Sequence, residues 1–346
     1  DLNGTTYTAA TGSIELGAPV DLDAGDATTT LTASTASTGG LSAGQIVDGG
    51  GDTTLVVDVG DNDLDLSNAS NDLSTLVITA SNNATVVDSD ALDFGASTVG
   101  GNLTVTTGGN LTQSGVLDVA GTTDLDAGSG TINLSGANDF TGAVSVTTTA
   151  TGTGAVALAA TNNLLLGTID VPTTGDTEFS LDAGGTITQS SALDVDILLL
   201  QSGGVTTLDD AANTINSLGD STVAGLDLKD SAGGLTLVDN LTSTGTTTIT
   251  TAGGSLDLDT FDLDATGQTL NLTGVGILQD STAPGQLLAA SADLVAGTGN
   301  IALTGATNDF TGTVTVTASG SGDITITDAT ALDLGASSVA DGTLTL

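Results

Sequence analysis

The sequence predicts an all-β protein, a right-handed parallel β-helix (β-solenoid) of about 16 coils with roughly 20 residues in each coil. Three observations predict this fold: short segments in which apolar and polar residues alternate, turn residues between those segments, and phrases that return along the chain. We expect one continuous β-solenoid over residues 1–346, as an internal shaft segment of a longer protein.

The alternating segments are the primary signal for strands. Apolar residues recur at every second position, as in Leu103-x-Val105 and Ile132-x-Leu134, and this period of two is typical of short strands with one buried face. Gly, Asn, Asp, Ser and Thr separate the segments, and no stretch has the periodicity of a long amphipathic helix. A sandwich or barrel also consists of many short strands, but here every stretch resembles the others, which favours a solenoid. The right-handed winding follows from the usual crossover between parallel strands.

Three phrases recur and indicate a large repeat with loops of variable length. GGNLTQSG at 108–115 returns as GGTITQSS at 184–191, and Gln113 and Gln189 align with Gln279. ANDFTG at 137–142 returns as TNDFTG at 307–312, and ALDFGASTV at 91–99 returns as ALDLGASSV at 331–339. We expect the recurring polar residues to lie at turns, where they hydrogen-bond to the backbone or to the next coil. A binding role for Gln113 and Gln189 is the alternative.

The composition excludes several classes of function. The chain has no Cys, His, Met or Trp, and its one basic residue is Lys229. Catalytic triads built on His or Cys, thiolate or imidazole metal sites, and the usual haem ligands are therefore excluded. A net charge of −41 would repel nucleic acid and an anionic membrane surface, and the apolar runs are too short to span a bilayer. We expect no enzyme activity, no catalytic residue, no required cofactor, no nucleic-acid partner and no membrane insertion.

Three stretches carry a family resemblance: GNLTVTTGGNLTQSG at 101–115, AGSGTINLSGANDFTG at 127–142, and ALDFGASTV at 91–99. They resemble the long repeats of filamentous haemagglutinin-like exoproteins of the two-partner secretion route, a group that includes haemagglutinin-type adhesins and contact-dependent toxins. The resemblance implies a right-handed parallel β-helix and export through a bacterial outer-membrane pore to the cell surface or the medium. The sequence lacks the Asn-Pro-Asn motif of the family's secretion domain and an obvious C-terminal toxin domain, which is why we expect a shaft segment.

Two aspartate-rich stretches contain the candidate metal ligands. DVGDNDLDL and LDLDTFDLD supply eight aspartates: Asp58, Asp61, Asp63, Asp65, Asp257, Asp259, Asp262 and Asp264. Two aspartates in register on neighbouring coils would lie about 5 Å apart and repel each other by about 0.8 kcal/mol even at the dielectric constant of water. Either the aspartates are staggered on a solvated face, or cations gather between them. Calcium is the cation that suits carboxylate and carbonyl oxygens at glycine-containing turns.

The D-x-D pairs also permit a catalytic alternative. In Asp124-Leu-Asp126, Asp194-Val-Asp196 and Asp257-Leu-Asp259, two carboxylates would share one strand face about 6.5 to 7 Å apart. That separation lies within the range of inverting glycosidases. The shortage of aromatic and basic residues argues against this alternative, because sugar-binding sites usually contain such groups.

The leading hypothesis for the function is a structural and adhesive, non-catalytic shaft of a large secreted bacterial surface or matrix exoprotein. Its partners would be other copies of itself, through lateral or end-to-end assembly, or the surface of a host or neighbouring cell. Two alternatives stay open: a surface-layer or filament protein assembled by calcium or other divalent cations, and a polysaccharide-active β-helix enzyme. The predicted location is extracellular.

Overall fold

Parallel strands account for the regular structure of the chain. The computed structural model describes residues 6–9, 13–17, 19–22, 28–33, 40–48, 53–231 and 233–346. Within this part there is no helix, and the strands stack as a β-solenoid of about 15 turns. The predicted fold class, a parallel β-helix, is confirmed, and the hand of its winding stays a prediction. No helix among these residues has the length and apolar character needed to cross a membrane.

The strands fall into two compact units, Asp1–Pro172 and Thr173–Leu346. The continuity of one solenoid over residues 1–346 stays a prediction. The strands of the first unit, here called unit 1, are β1 Thr6–Ala9, β2 Ile14–Leu16, β3 Val20–Leu22, β4 Thr28–Ala33, β5 Leu41–Ala43, β6 Ile46–Asp48, β7 Thr54–Asp58, β8 Leu64–Leu66, β9 Thr75–Ala80, β10 Ala84–Asp88, β11 Leu92–Phe94, β12 Ser97–Val99, β13 Leu103–Thr107, β14 Leu111–Gln113, β15 Leu117–Val119, β16 Thr123–Asp126, β17 Ile132–Phe140, β18 Ala143–Thr147, β19 Val156–Ala160 and β20 Leu164–Asp170.

The second unit, unit 2, has the same construction. Its strands are β21 Glu178–Ala183, β22 Ile187–Gln189, β23 Asp194–Ser202, β24 Thr206–Leu208, β25 Thr214–Leu218, β26 Ser221–Val223, β27 Leu226–Asp230, β28 Leu235–Leu237, β29 Leu241–Ser243, β30 Thr247–Thr251, β31 Leu256–Asp257, β32 Leu263–Gly274, β33 Ile277–Leu278, β34 Leu287–Ala296, β35 Ile301–Leu303, β36 Asp309–Phe310, β37 Thr313–Ala318, β38 Ile324–Ile326, β39 Asp333–Leu334, β40 Ser338–Val339 and β41 Leu344–Thr345.

The register of the strands gives the length of a coil. In unit 1, Leu64, Ala84, Leu103, Thr123 and Val144 occupy equivalent positions in successive parallel strands, so these coils contain 19 to 21 residues. This agrees with the predicted coil of roughly 20 residues. Side chains in register therefore stack in columns, one residue per coil, at the spacing of neighbouring strands.

Alternate residues of each strand point into the core. In β13, Leu103, Val105 and Thr107 are buried, whereas Thr104 is exposed and Thr106 is half-buried. Burial of one Leu or Val side chain contributes about 1.5 to 3 kcal/mol, and the stacked strands repeat that contribution in every coil. The alternation in the sequence is therefore the pattern that places one face of each strand inside.

Glycines occupy corners where neighbouring coils come too close for a side chain. A Cβ atom at Gly322 would lie 1.9 Å from the backbone oxygen of Gly299, and one at Gly342 would lie 1.9 Å from the backbone oxygen of Gly322. These three glycines form a column on successive coils of unit 2. The high glycine content thus has a direct packing cause at this corner.

Candidate functional site

The first aspartate-rich stretch lies around the corner between β7 and β8. Asp58 and Asp65 each accept the backbone N–H two residues further on, at 3.0 Å in both cases. Asp63 accepts the backbone N–H of Asn83 in the next coil at 3.1 Å. Asp61 is exposed in the turn between the strands. Three of the four carboxylates therefore already stabilise the chain's own backbone.

Asp63 begins a column of side chains that caps one corner. The backbone N–H of Asn83 and the side-chain amide of Asn82 hold the pKa of Asp63 below its ordinary value. In the following coils, Asn83 Oδ1 accepts the N–H of Asn102 at 2.9 Å, and Asn102 Oδ1 accepts the N–H of Thr122 at 2.9 Å. Each side-chain oxygen thus binds the backbone of the next coil, and Asp63 has the same role as the asparagines above it.

The second aspartate-rich stretch repeats this arrangement. Asp257 and Asp264 accept backbone N–H groups two residues further on at 3.0 and 2.9 Å. Asp262 accepts the backbone N–H of Gln286 in the next coil at 2.7 Å. Asp259 lies in the turn with φ of 48°, a left-handed conformation. Six of the eight candidate ligands are therefore hydrogen-bonded to backbone N–H groups.

The structure does not gather these carboxylates into a cluster. Among the residues that the structure describes, no group of three or more acidic side chains could hold a metal ion. At outward positions, aspartates alternate with hydroxyl residues from one coil to the next. Asp124 is in register with Thr104 on one side and Ser145 on the other, and the Thr315 hydroxyl donates a hydrogen bond to Asp293 at 2.6 Å. Neutral donors separate the like charges at these positions. Calcium binding by the eight aspartates stays a prediction.

Among the strand pairings of the described residues, Asp118 and Asp139 depart from this alternation of carboxyl and hydroxyl groups. Asp118 in β15 and Asp139 in β17 are directly in register on adjacent coils, and both are exposed. The side-chain amide of Asn162 in the following coil donates to Asp139 Oδ1. On the other side, Asp118 is in register with Thr98. At about 5 Å the two carboxylates repel each other, so a cation bound between them would relieve that repulsion.

The D-x-D pairs have two different geometries. Asp124 and Asp126 both belong to β16, and Asp194 and Asp196 both belong to β23, so each pair shares a strand as predicted. The prediction is wrong for the third pair, because β31 ends at residue 257 and residue 259 has the left-handed backbone of a turn. The polysaccharide-active alternative stays a prediction.

The recurring Gln residues are parts of amide pairs that the sequence did not reveal. Gln113 pairs with Asn138 through two hydrogen bonds of 2.9 Å, one in each direction. Asn138 is fully buried, accepts the backbone N–H of Leu117 at 2.8 Å, and donates to the carbonyls of Leu134 and Ala159 at 3.0 and 3.1 Å. The pair therefore joins three coils in unit 1, beside a shift of register in β17.

Unit 2 contains two further pairs of the same kind. Gln189 pairs with Asn213 at 2.7 and 3.0 Å, and Gln279 pairs with Asn308 at 2.9 and 3.0 Å. Both asparagines are fully buried. The expectation that the recurring Gln residues hydrogen-bond to the neighbouring coil is confirmed. The signal was already present, because Asn138 and Asn308 lie in the recurring ANDFTG and TNDFTG phrases.

The third recurring phrase contains a buried serine that connects two coils. The hydroxyl of Ser97 donates to the Gly95 carbonyl at 2.9 Å and accepts the N–H of Ile78 at 3.0 Å. Ser221 makes the equivalent contacts in unit 2, within LGDSTV at 218–223. Sequence reasoning missed Ser221, which lies outside the recurring phrase, because Gly-x-Ser is a short and common spacing.

A buried carboxyl group in unit 1 was also missed. Asp88 is 2% exposed at the end of β10 and accepts the backbone N–H of Leu73 at 2.8 Å. The alternation could have revealed it, since Ala84, Val86 and Asp88 form one inward-facing series. An ionisable group therefore occupies an interior position of unit 1. No basic side chain is present in unit 1 to form an ion pair with it.

The single basic residue forms an exposed ion pair. Lys229 Nζ lies 3.6 Å from Asp209 Oδ2, and both side chains are about half exposed. Surface pairs of this kind contribute at most about 1 kcal/mol. Lys229 therefore neutralises one carboxylate and leaves the acidic character of the surface almost unchanged.

Comparison with known families identifies two repeat segments in the chain but assigns them no function. Residues 81–147 and 260–317 match a family model described as repeats of unknown function (DUF5649). Each matched segment contains one complete amide pair, Gln113–Asn138 in the first and Gln279–Asn308 in the second. No characterised protein and no solved structure matches the chain. The third pair, Gln189–Asn213, lies outside both matched segments, so the amide pair extends beyond the residues that the family model matches.

Proposed function

We propose that this chain is a structural and adhesive shaft segment of a large bacterial exoprotein with filamentous haemagglutinin-like repeats. It lies outside the cell, at the surface or in the extracellular matrix, and acts without catalysis. Its partners are other copies of itself or the surface of a host or neighbouring cell. The repeated coils would carry or space binding regions, so the function depends on the length and durability of the repeat.

One observation carries this proposal: side chains that could perform chemistry are engaged with the chain's own backbone. Six of the eight aspartates in the two acidic stretches accept backbone N–H groups. The recurring Gln and Asn residues bind one another and the backbone of neighbouring coils. Repetition of the same internal contacts is expected of a scaffold, whereas a catalytic site breaks such a pattern locally.

Surface labelling of the producing bacterium tests this proposal. An antibody raised against the chain should label intact cells, and treatment of those cells with proteinase K should remove the label. An antibody against a cytoplasmic protein of the same cells is the control and should label them only after lysis. If the chain is detected only in lysed cells, neither its proposed location nor its adhesive role can stand.

Asp118 and Asp139 are adjacent and exposed, so they present two carboxylates to a cation shared with another copy; this favours a second candidate, assembly through calcium bridges between acidic faces. Sedimentation velocity in millimolar calcium, and in chelator at matched ionic strength, should then show larger species only with calcium. The double variant Asp118→Asn/Asp139→Asn should reduce this shift. The control is Asp124→Asn, because Asp124 stands between Thr104 and Ser145. The same sedimentation coefficient in both buffers would exclude this candidate.

A further inference from the structure

Unit 1 has no basic side chain with which a buried carboxylate could pair. The only Lys of the chain is Lys229, outside residues 1–172, and the sequence has no Arg and no His. Burial of an unpaired carboxylate is costly, and such groups bind a proton instead. A buried aspartate in this unit is therefore the group whose charge state should matter most for local stability.

Asp88 is such a group, and it connects two turns. Its Oδ1 accepts the backbone N–H of Leu73 at 2.8 Å, and its Oδ2 accepts the backbone N–H of Asp90 at 3.3 Å. The backbone N–H of Ser89 also donates to the carbonyl of Asn71 at 2.8 Å. The turn at 67–74 and the turn at 89–91, called the Asp88 corner below, are thus held together around one carboxyl group that is 2% exposed.

The ionisable groups near the Asp88 corner are all acidic. Asp72 and Asp90 lie within its two turns, and Asp48 lies near Asp72 in the preceding coil. Of the two strands that pair with β10, β8 carries Asp65, which is exposed, and β13 carries no ionisable side chain. The next strand, β11, carries Asp93, which accepts the hydroxyls of Thr112 and Ser114. Every nearby charge therefore opposes ionisation of Asp88.

We propose that the Asp88 corner is a pH-sensitive latch in unit 1, closed while Asp88 is protonated and loosened when Asp88 ionises. In the closed state the two turns are joined by the hydrogen bond from the Leu73 N–H to Asp88 Oδ1 and by that from the Ser89 N–H to the Asn71 carbonyl. Ionisation places a negative charge in a buried position among acidic neighbours. The effect is local, because each coil of a repeat protein contacts only its neighbours and can open separately.

The direction of the pH effect follows from the pKa values. Burial, together with the nearby Asp90, raises the pKa of Asp88 from 3.8 to about 7, against the lowering effect of the Leu73 hydrogen bond. Burial, with Asp90 and Asp48, also raises the pKa of Asp72. The folded corner binds its proton more tightly than the open one, so its stabilisation is complete below pH 3.8 and is lost as the pH rises through about 7. The corner should therefore be tighter in acid.

Hydrogen exchange of the full chain tests the latch, in chelator so that no divalent cation replaces the proton. After correction for the intrinsic exchange rate, protection of the Leu73 amide should fall about tenfold between pH 6 and pH 8, as linkage predicts for a pKa near 7. Asp88→Asn keeps an acceptor for this amide and should abolish the pH dependence. Asp230→Asn is the matched control, since Asp230 is also 2% exposed and accepts the N–H of Ile215 in unit 2. This variant should leave the pH dependence of the Leu73 amide as it is in the wild type.

Two results would overturn the proposal. One is protection of the Leu73 amide that does not change between pH 6 and pH 8 in the wild type. The other is the same pH dependence in Asp88→Asn as in the wild type. If the variant does not fold, carbon NMR of the side-chain carboxyl groups in the wild type decides the matter. An aspartate that titrates near pH 7 supports the latch, and its absence contradicts it.

Discussion

Replacement of Asn138 by alanine should open the coils of unit 1 that its side chain joins. Asn138 is fully buried and takes part in hydrogen bonds with the Gln113 amide, the Leu117 N–H and two backbone carbonyls. The alanine variant leaves all of these groups without that partner. We therefore expect this substitution to be among the most destabilising at any polar position of the repeat.

The magnitude follows from the groups left behind. A buried donor or acceptor without a partner costs about 1 to 3 kcal/mol, and the Leu117 N–H and the carbonyls of Leu134 and Ala159 are such groups. Gln113 is only half-buried and can turn towards water, which limits its share of the loss. We expect a loss of about 3 to 5 kcal/mol, near the upper end for single substitutions.

Hydrogen exchange at Ile132 measures this loss without depending on the bonds that are removed. The Ile132 N–H donates to the Ala155 carbonyl at 3.0 Å, in the same strand as Asn138. Its protection should fall about a hundredfold or more in Asn138→Ala, since 1.4 kcal/mol corresponds to a factor of ten. Asn133→Ala is the control, because Asn133 is exposed on the same strand. Equal protection of Ile132 in both variants would refute the reasoning.

Three further predictions follow from the corners and the charges. Gly322→Ala should lower the midpoint of urea unfolding, because its Cβ would lie 1.9 Å from a backbone oxygen, whereas Gly297→Ala meets nothing closer than 3.6 Å and should behave like the wild type. Trypsin should leave the folded chain uncut in a gel assay and cut the urea-unfolded chain once, because Lys229 lies in β27 between two paired strands. The hydrogen bonds from Asn83 and Asn82 lower the pKa of Asp63, so its stabilisation is present above pH 3.8 and is lost as the pH falls below it. Asp63→Asn should therefore weaken the acid dependence of exchange at the Asn83 amide.

The sequence predicts the architecture well because strand alternation is a local signal. Leu103 and Val105 are apolar at every second position, which predicts a strand, and the similarity of every stretch to the others favours a parallel stack over a sandwich or barrel. Strand ends are less predictable. Asp259 continues the alternation in the sequence, but the chain has already turned there into a left-handed conformation.

Contacts between coils could not be derived from the sequence, because they depend on the length of each coil. Gln113 meets an asparagine 25 residues further on, whereas Gln279 meets one 29 residues further on. The recurrence of Gln and of ANDFTG was visible, but their pairing was not. The candidate metal ligands have a similar outcome: their clustering in two stretches was visible in the sequence, and the backbone N–H groups whose hydrogen bonds they accept were not.

The imbalance between the two acidic residue types has a structural explanation. The chain contains 42 acidic residues, of which only Glu15 and Glu178 are glutamates. Asp58, Asp126 and Asp210 each accept the backbone N–H two residues further on, at 2.9 to 3.0 Å. The short aspartate side chain suits this turn, whereas the longer glutamate side chain does not.

The same geometry explains how a chain of net charge −41 stacks coil upon coil. A carboxylate that accepts a backbone N–H at a corner stabilises the turn, and a hydroxyl in register with it keeps the next carboxylate one coil further away. Acidity at these positions therefore assists folding and still makes the surface strongly anionic. The turn geometry therefore accounts for the preference for Asp over Glu at these positions.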